Sequence, residues 1–174
     1  MWKSTTNNLA GHSVPASNQR MHYSQLFPVD DFHEDSAALY VDATLDHNHG
    51  LTGIGFTLKI GQHQIIASEN HLLPRASTPI FAEGQALLQG ISWCIDSQLK
   101  PEFIFFDCLN LVSKVNGDWQ DHSALSGLVS QIRLFFSNFP KASLKYLPRQ
   151  FNTAAHSLAK DAIRLREEGH EELF

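Results

Sequence analysis

The feature that most constrains the fold of this chain is a carboxylate, Asp42, inside the apolar stretch at residues 39–44. The other five residues of this stretch suit a pleated, buried strand. Aspartate is depleted from strands, and burying its charge is costly unless it is paired, hydrogen-bonded or bound to a metal. A strand that carries Asp42 therefore needs a partner for this charge, and the chain shows the same anomaly twice more.

The second carboxylate, Glu83, lies in a helix predicted at residues 78–97. Thr78 followed by Pro79 is typical of an N-cap and a first helical residue. The predicted inward face recurs at helical spacing and comprises Ala86, Leu87, Gly90, Ile91 and Cys94. Counting back along that face reaches Glu83. Its carboxylate is therefore predicted to lie at the start of the buried face, one turn inside the N-terminal end of the helix, where the helix dipole favours an anion.

The third carboxylate, Asp107, follows four consecutive apolar residues at 103–106. A run without alternation predicts a strand covered on both faces, and ligands of open α/β sheets bind at the carboxyl ends of such strands. Taken singly, Asp107 is also explained as the N-cap of the next helix, and Glu83 as a partner of the helix dipole. Three carboxylates together favour a shared divalent cation, and oxygen ligands suit Mg²⁺ or Mn²⁺.

The composition limits the class of protein and its partners. With 174 residues, 43% hydrophobic and 18% charged, the chain is expected to form one globular domain. A net charge of -5 predicts no broad basic surface, so nucleic-acid binding is expected to be local or bridged by metal. Cys94 and Cys108 are interpreted as reduced core residues without a disulfide partner, which favours an intracellular protein, in nucleus or cytoplasm. No apolar run reaches 18 residues, so we expect no membrane-spanning helix.

The order of predicted elements indicates an α/β fold. Residues 1–36 lack periodicity and are interpreted as a poorly ordered leader or linker, with the domain at 37–168 and a C-terminal tail at 169–174. Strands are predicted at 39–44, 53–60, 64–69, 103–107 and 143–147, and helices at 78–97, 110–115, 126–136 and 153–166. Three meandering strands followed by βα units predict a mixed sheet with helices on its faces.

Four segments in a fixed order resemble the ribonuclease H family. They are YVDA at 40–43 (with GIG at 53–55), AEGQAL at 82–87, DCLNLV at 107–112 and RQFNTAAHSLAK at 149–160. The likeness is closest to the plant RNase H-like domains found at the C-terminal end of non-LTR retroelement polyproteins. It implies a ribonuclease H-like fold, a five-stranded mixed sheet of three antiparallel strands followed by βα units, with helices on both faces.

The resemblance also implies an activity and a set of site residues. Members of the family hydrolyse the RNA strand of RNA–DNA hybrids with two Mg²⁺ ions held by four acidic residues. Asp42, Glu83 and Asp107 match three of these positions, and His156 stands at the fourth, so all four are expected to be catalytic and metal-binding. Because imidazole is a poorer ligand for Mg²⁺ than for softer ions, His156 predicts a relative preference for Mn²⁺.

Two features depart from the family pattern. The loop before the last helix is short, at residues 148–151, and the sequence shows no basic protrusion of the kind that helps some relatives hold the hybrid. Arg149 and Asn152 are candidate substrate contacts here, although Asn152 is more simply explained as the N-cap of the last helix. Two hypotheses remain open: a monomeric metal-dependent endoribonuclease acting on RNA–DNA hybrids, or a catalytically weak or inactive retroelement-derived module that binds nucleic acid or protein.

The pair His47 and His49 has a spacing that can be mistaken for a metal-binding motif. It lies in a predicted turn at residues 46–50, rich in Asp, Asn, His and Gly. No further ligands accompany it in the sequence, so we interpret the pair as surface residues.

Overall fold

The structure, a computed structural model, describes residues 26–171, and its first regular elements are three antiparallel strands joined by tight turns. These strands are β1 (Ala37–Asp46), β2 (Leu51–Ile60) and β3 (Gln64–Pro74). The remaining strands and α-helices are α1 (Pro79–Asp96), β4 (Phe103–Phe106), α2 (Leu109–Asn116), α3 (Ala124–Phe136), β5 (Ser143–Tyr146) and α4 (Thr153–Glu171), and a short 3₁₀ helix at Arg149–Phe151 precedes α4. Gly50 and Gly61 close the two hairpins at positive φ, 64° and 60°, a backbone conformation that glycine adopts without steric cost.

The five strands form one mixed sheet in the order β3-β2-β1-β4-β5. β1 pairs antiparallel with β2 and parallel with β4, and β4 pairs parallel with β5. This arrangement confirms the predicted fold of an antiparallel meander followed by βα units. β3 continues past the predicted end at residue 69 because residues 70–74 keep their pairing with β2, as far as Pro74 opposite Leu51.

Alternate side chains of β1 divide between two cores on opposite faces of the sheet. Leu39, Val41 and Ala43 lie in the larger core, which α1, α2 and α3 cover. Ala38 and Tyr40 lie in a smaller core on the face covered by α4. By the same alternation Asp42 faces α4. The central strand of the sheet therefore places a carboxylate next to this helix.

Two glycines of β2 allow α4 to lie unusually close to the sheet. A Cβ at Gly53 would overlap the backbone oxygen of Ala159, and a Cβ at Gly55 would overlap that of Ala155. Gly55 is the residue of β2 paired with Asp42 of β1. The close approach therefore brings the first turns of α4 against the part of the sheet that holds Asp42.

Aromatic side chains upstream of β1 complete the smaller core. Phe27 and Phe32 pack against each other with ring centroids 4.6 Å apart, and both contact Phe105 of β4, at 5.4 and 5.2 Å. Phe32 also meets Phe103 at 5.6 Å. The predicted leader therefore includes residues that cover the sheet, and the boundary at residue 37 stays a prediction; residues 1–25 and 172–174 lie outside the described part.

The two cysteines are free thiols. Cys94 is buried on α1, and Cys108 is half-buried immediately before α2. Among the helices of residues 26–171, none combines the length and the apolar character that crossing a membrane requires.

Candidate active site

The candidate site lies where β4 ends and β1 continues. Val41 of β1 is in register with Phe106, the last residue of β4, so beyond Val41 the side of β1 that faces β4 is no longer paired with that strand. Asp42 is the next residue of β1, and its side chain is fully buried. Asp107 follows β4 directly, and its side chain is 8% exposed. Because the carboxyl ends of parallel strands meet at one edge of a sheet, the two aspartates lie side by side.

Glu83 reaches the same point from α1. The hydroxyl of Thr78 accepts a hydrogen bond from the backbone N–H of Phe81, and Pro79 occupies the first turn, so the helix begins where the sequence predicts. One ligand oxygen from each of Asp42, Glu83 and Asp107 lies within 4.8 Å of the other two. The structure therefore brings together the three carboxylates that the sequence singled out.

Burial and mutual repulsion make the ionised form of this cluster costly without a cation. Burial raises the pKa of Glu83 to about 9, and the charges of Asp42 and Asp107 add to the shift. Burial, followed by the charge of Asp107, also raises the pKa of Asp42. Oδ1 of Asp42 and Oε2 of Glu83 are buried without any hydrogen-bond partner. Two orphaned oxygens beside a third carboxylate fit the ligand set of a divalent cation such as Mg²⁺ or Mn²⁺.

His156 joins the site through Asp42. It lies in the first turns of α4 with its side chain 23% exposed, and its Nδ1 is 2.5 Å from Oδ2 of Asp42. The group of three carboxylates whose ligand atoms share one neighbourhood does not include His156. Its predicted role as a metal ligand stays a prediction, while its contact with Asp42 is a feature that the sequence did not reveal.

The short turn before α4 contributes two further side chains. Nε of Arg149 donates a hydrogen bond to Oδ2 of Asp107 at 3.1 Å, and the Arg149 side chain is 62% exposed. Asn152 is 1% exposed, and its Nδ2 donates to the backbone oxygen of Val41 at 2.8 Å. Asn152 occupies the N-cap position, because α4 begins at Thr153 and the N–H of His156 donates to the backbone oxygen of Asn152, but its side chain does not cap the helix, since its Oδ1 has no hydrogen-bond partner. The amide instead braces the open edge of β1, and its predicted contact with substrate stays a prediction.

A cleft of about 450 Å³ opens beside the carboxylates. Its lining comprises Glu83, Asp107 and Arg149 together with Pro79, Ile80, Cys108, Asn110 and Tyr146. The sequence reasoning missed Asn110 and Tyr146, although Asn110 lies shortly after the end of β4 and Tyr146 is the last residue of β5, at the carboxyl ends of parallel strands where ligand contacts concentrate. A cleft with carboxylates at its base and an exposed guanidinium at its rim is suited to a phosphate ester bound through a metal ion.

A second group of potential ligands lies at the far end of β1. Asp46, His49 and Glu167 also place ligand atoms within 4.8 Å of one another. Nδ1 of His49 is 2.6 Å from Oδ2 of Asp46 and 3.4 Å from Oε1 of Glu167. The backbone N–H groups of Asn48 and His49 donate to Oδ1 of Asp46, so the turn itself satisfies this carboxylate. His47 and His49 are exposed, as the sequence predicted.

Solved structures that resemble this fold include several ribonucleases H. The N-terminal RNase H domain of Rv2228c from Mycobacterium tuberculosis, solved as a fusion with maltose-binding protein, is 23% identical with a TM-score of 0.66, over 78% of this chain and 98% of that one. RNase H1 of Halobacterium salinarum is 24% identical with a TM-score of 0.64, over 74% and 98%. LC11-RNase H1, solved in complex with an RNA/DNA hybrid, is 19% identical with a TM-score of 0.64, over 75% and 99%. The chain therefore has the ribonuclease H fold.

The family follows from a model described as reverse transcriptase-like, which matches residues 40–162. The chain belongs to this family of RNase H-like domains, which confirms the resemblance found in the sequence. Among curated proteins, the bifunctional protein Rv2228c of Mycobacterium tuberculosis is 26% identical over 117 residues, 67% of this chain and 32% of that protein. The uncharacterized protein Mb2253c of Mycobacterium bovis matches with the same identity and coverage. The chain thus spans about a third of the length of these curated relatives.

Proposed function

We propose that this protein is a metal-dependent endoribonuclease that hydrolyses the RNA strand of RNA–DNA hybrids. The observation that carries the proposal is the convergence of Asp42, Glu83 and Asp107, with two buried oxygens that lack a hydrogen-bond partner. The ribonuclease H fold supports the reaction class, and LC11-RNase H1 provides a relative of this fold solved with an RNA/DNA hybrid. A site built from oxygen ligands and an open cleft suits hydrolysis of a phosphodiester.

The residues of the site have different proposed roles. Asp42, Glu83 and Asp107 would hold the cation, which supplies activation of the attacking water and stabilisation of the leaving oxygen. Arg149 stands at the rim of the cleft, where its guanidinium can bind a phosphate of the RNA strand. His156, which contacts Asp42, is the proposed fourth ligand, and Asn152 holds the edge of β1 in place. Discrimination between RNA and DNA would rest on the 2′-hydroxyl group.

The identity of the ion is the finer part of the proposal. The resemblance to ribonucleases H implies two Mg²⁺ ions, whereas His156 in place of a fourth carboxylate favours Mn²⁺. We expect faster cleavage of the hybrid in Mn²⁺ than in Mg²⁺ at equal concentrations. Faster cleavage in Mg²⁺ would contradict the interpretation of His156.

The test is cleavage of a labelled RNA–DNA hybrid, with single-stranded RNA, double-stranded RNA and double-stranded DNA as comparison substrates. The wild-type chain should cut only the RNA strand of the hybrid, and Asp107→Asn should abolish this activity. Asp96→Asn is the matched control, because Asp96 is an exposed aspartate at the end of α1. Failure of the folded protein to cut the hybrid in either metal would contradict the proposal.

A second candidate function is a catalytically weak, retroelement-derived module that binds nucleic acid or protein. The net charge of -5 and the histidine at position 156 favour it over an efficient nuclease. This candidate predicts that the folded chain binds the hybrid in a fluorescence anisotropy titration but leaves it uncut in Mg²⁺ and in Mn²⁺. Cleavage abolished by Asp107→Asn would exclude it.

A further inference from the structure

The turn before α4, residues 148–152, packs one side chain into the smaller core. Arg149 is exposed, whereas Phe151 is half-buried and lies against the residues of that core. Two backbone hydrogen bonds of 2.9 Å shape the turn, from the N–H of Phe151 to Pro148 and from the N–H of Asn152 to Arg149. Because a single turn of 3₁₀ helix has poor hydrogen-bond geometry, the packing of the Phe151 ring helps to hold it.

The ring that packs on Phe151 comes from the segment upstream of β1. Phe27 meets Phe151 edge to face, with ring centroids 5.6 Å apart and an angle of 76° between the rings. Phe27 is itself held by Phe105 of β4 at 5.4 Å and by Phe32 at 4.6 Å. The upstream segment therefore joins the turn before α4 to a strand of the sheet.

The same turn carries two side chains that reach the candidate site. Arg149 places its guanidinium at the rim of the cleft, and Asn152 holds the edge of β1. Phe151 lies between them in the chain, so a displacement of its ring would move the backbone that carries both. Phe27 thus reaches the rim of the cleft through one contact between rings.

We propose that Phe27 is a positioning residue for hybrid binding, which acts through Phe151 to hold Arg149 where a phosphate of the RNA strand binds. This inference rests on the proposed function, in which Arg149 binds that phosphate. It extends the substrate-binding apparatus to a segment that lies before the start of the family match at residue 40.

Phe32 is the matched control, because it belongs to the same upstream segment and the same core. Its ring contacts Phe103 and Phe105 of β4 at 5.6 and 5.2 Å. Within the part of the chain that the structure describes, Phe32 forms no ring pair with Phe151. Phe27→Ala and Phe32→Ala each remove one ring from this core, so both should destabilise the protein. Only Phe27→Ala should loosen the turn.

The first test is amide hydrogen exchange of the full chain, measured by NMR without metal or nucleic acid. In Phe27→Ala, the N–H groups of Phe151 and Asn152 should exchange about five- to tenfold faster relative to the amides of β4, as expected for loss of an edge-to-face ring pair. Phe32→Ala should leave this ratio unchanged. If Phe27→Ala does not fold, Phe27→Leu takes its place, with an expected increase of at least about twofold.

The outcomes of the exchange experiment decide whether the contact holds the turn. An unchanged exchange ratio in the Phe27 variant would overturn the inference. An equal increase in Phe32→Ala would also overturn it, because the effect would then be one of general stability.

The second test measures the affinity for the hybrid in Mn²⁺, as KM if the hybrid is cut and as Kd from fluorescence anisotropy if it is not. Arg149→Met should raise this constant about tenfold, because a charge-assisted hydrogen bond to phosphate is lost. Phe27→Ala should raise it at least about twofold in the wild-type chain. In Arg149→Met it should have no further effect, since a positioning residue acts only through the residue that it positions.

The double variant separates positioning from a structural role. Independent losses from Phe27→Ala and Arg149→Met would overturn the inference, and so would a loss of affinity in Phe32→Ala as large as that in Phe27→Ala. A folded wild-type chain that neither cuts nor binds the hybrid would contradict the proposed function. The exchange experiment would then decide by itself whether Phe27 holds the turn.

Discussion

Two aspartates on β1, four residues apart, form groups of the same chemical type with opposite character. Asp42 contacts His156 and lies beside two further carboxylates, while Asp46 contacts His49 and lies beside Glu167. The distances between the aspartate and histidine atoms are nearly equal, at 2.5 and 2.6 Å. Geometry alone would mark both groups as metal sites.

Burial and hydrogen bonding separate the two groups. The Asp46 carboxylate has backbone donors, and its hydrogen bond with His49 lowers its pKa. Asp42 is fully buried, has an oxygen without a partner, and has a raised pKa. The carboxylate of the exposed group is satisfied by hydrogen bonds within its own turn, whereas the buried group contains a carboxylate oxygen without a hydrogen-bond partner. The buried oxygen without a partner, rather than the proximity of ligand atoms alone, therefore supports the proposed metal site at Asp42.

The largest expected difference between the groups is in catalysis. Asp42→Asn removes a proposed metal ligand, so hybrid cleavage should fall by more than about 100-fold, the upper range for loss of an outer partner of a metal ligand. Asp46→Asn should leave the rate unchanged, because its group has no part in the proposed site. Initial rates on a labelled hybrid in Mn²⁺ give the comparison. Equal losses of cleavage rate in both variants would contradict the proposal that the active site contains Asp42 and not Asp46.

A smaller effect is expected when α4 is pushed away from Asp42. Gly55→Ala places a methyl group against the backbone of Ala155, and overpacking of this kind costs about 2–3 kcal/mol. Urea unfolding should show this loss, together with weaker Mn²⁺ binding as His156 moves from Asp42. Gly127→Ala on α3 is the control, since nothing lies within 4 Å of the added methyl group. It should stabilise the helix slightly. An unchanged midpoint in Gly55→Ala would contradict the close packing.

The third prediction concerns pH and the metal-free protein. The pKa of Glu83 is about 9 in the folded protein, against an ordinary value of 4.5. Between these two pH values the folded chain keeps a proton on Glu83 that the unfolded chain has already lost. The free energy of unfolding should therefore fall as pH rises from 5 to 9, by at most about 1.4 kcal/mol per unit for this group. Below this window the contribution is constant. The measurement is urea unfolding in a chelating buffer across this range.

Two variants sharpen the pH experiment. Glu83→Gln should remove most of the slope, because the group that takes up the proton is gone. Asp46→Asn should leave the slope unchanged. The hydrogen bond with His49 lowers the pKa of Asp46 from its ordinary 3.8, so the stabilisation from this group is lost only as pH falls below 3.8, outside the measured range. A slope that persists in Glu83→Gln would assign the proton to another group.

The sequence predicted the parts of the site that break a local rule. Asp42, Glu83 and Asp107 stand out because a charge among apolar residues is anomalous wherever it occurs in a chain. The strand and helix patterns around them also predicted the mixed sheet, which the structure confirms. Such signals require only a short window of sequence.

The missed contacts lack a local signal. Arg149 and Asp107 are 42 residues apart, and an exposed arginine in a turn is ordinary in any sequence. The amide of Asn152 reaches Val41 across 111 residues, so its position before α4 suggested a cap or a substrate contact but not this hydrogen bond. The extension of β3 was missed because residues 70–74 include Asn and His, which an exposed edge strand accepts but which do not give the apolar pattern of a core strand. These features depend on the assembled sheet.

The aromatic cover formed by Phe27 and Phe32 has a practical consequence for anyone who trims this protein. The family match begins at residue 40, yet the rings that shield Phe103 and Phe105 come from upstream of it. An expression clone cut at residue 37 would present these strand phenylalanines as open apolar surface, and such surfaces promote self-association. Clones that begin before residue 26 should give the better-behaved sample for crystallisation and for metal titration.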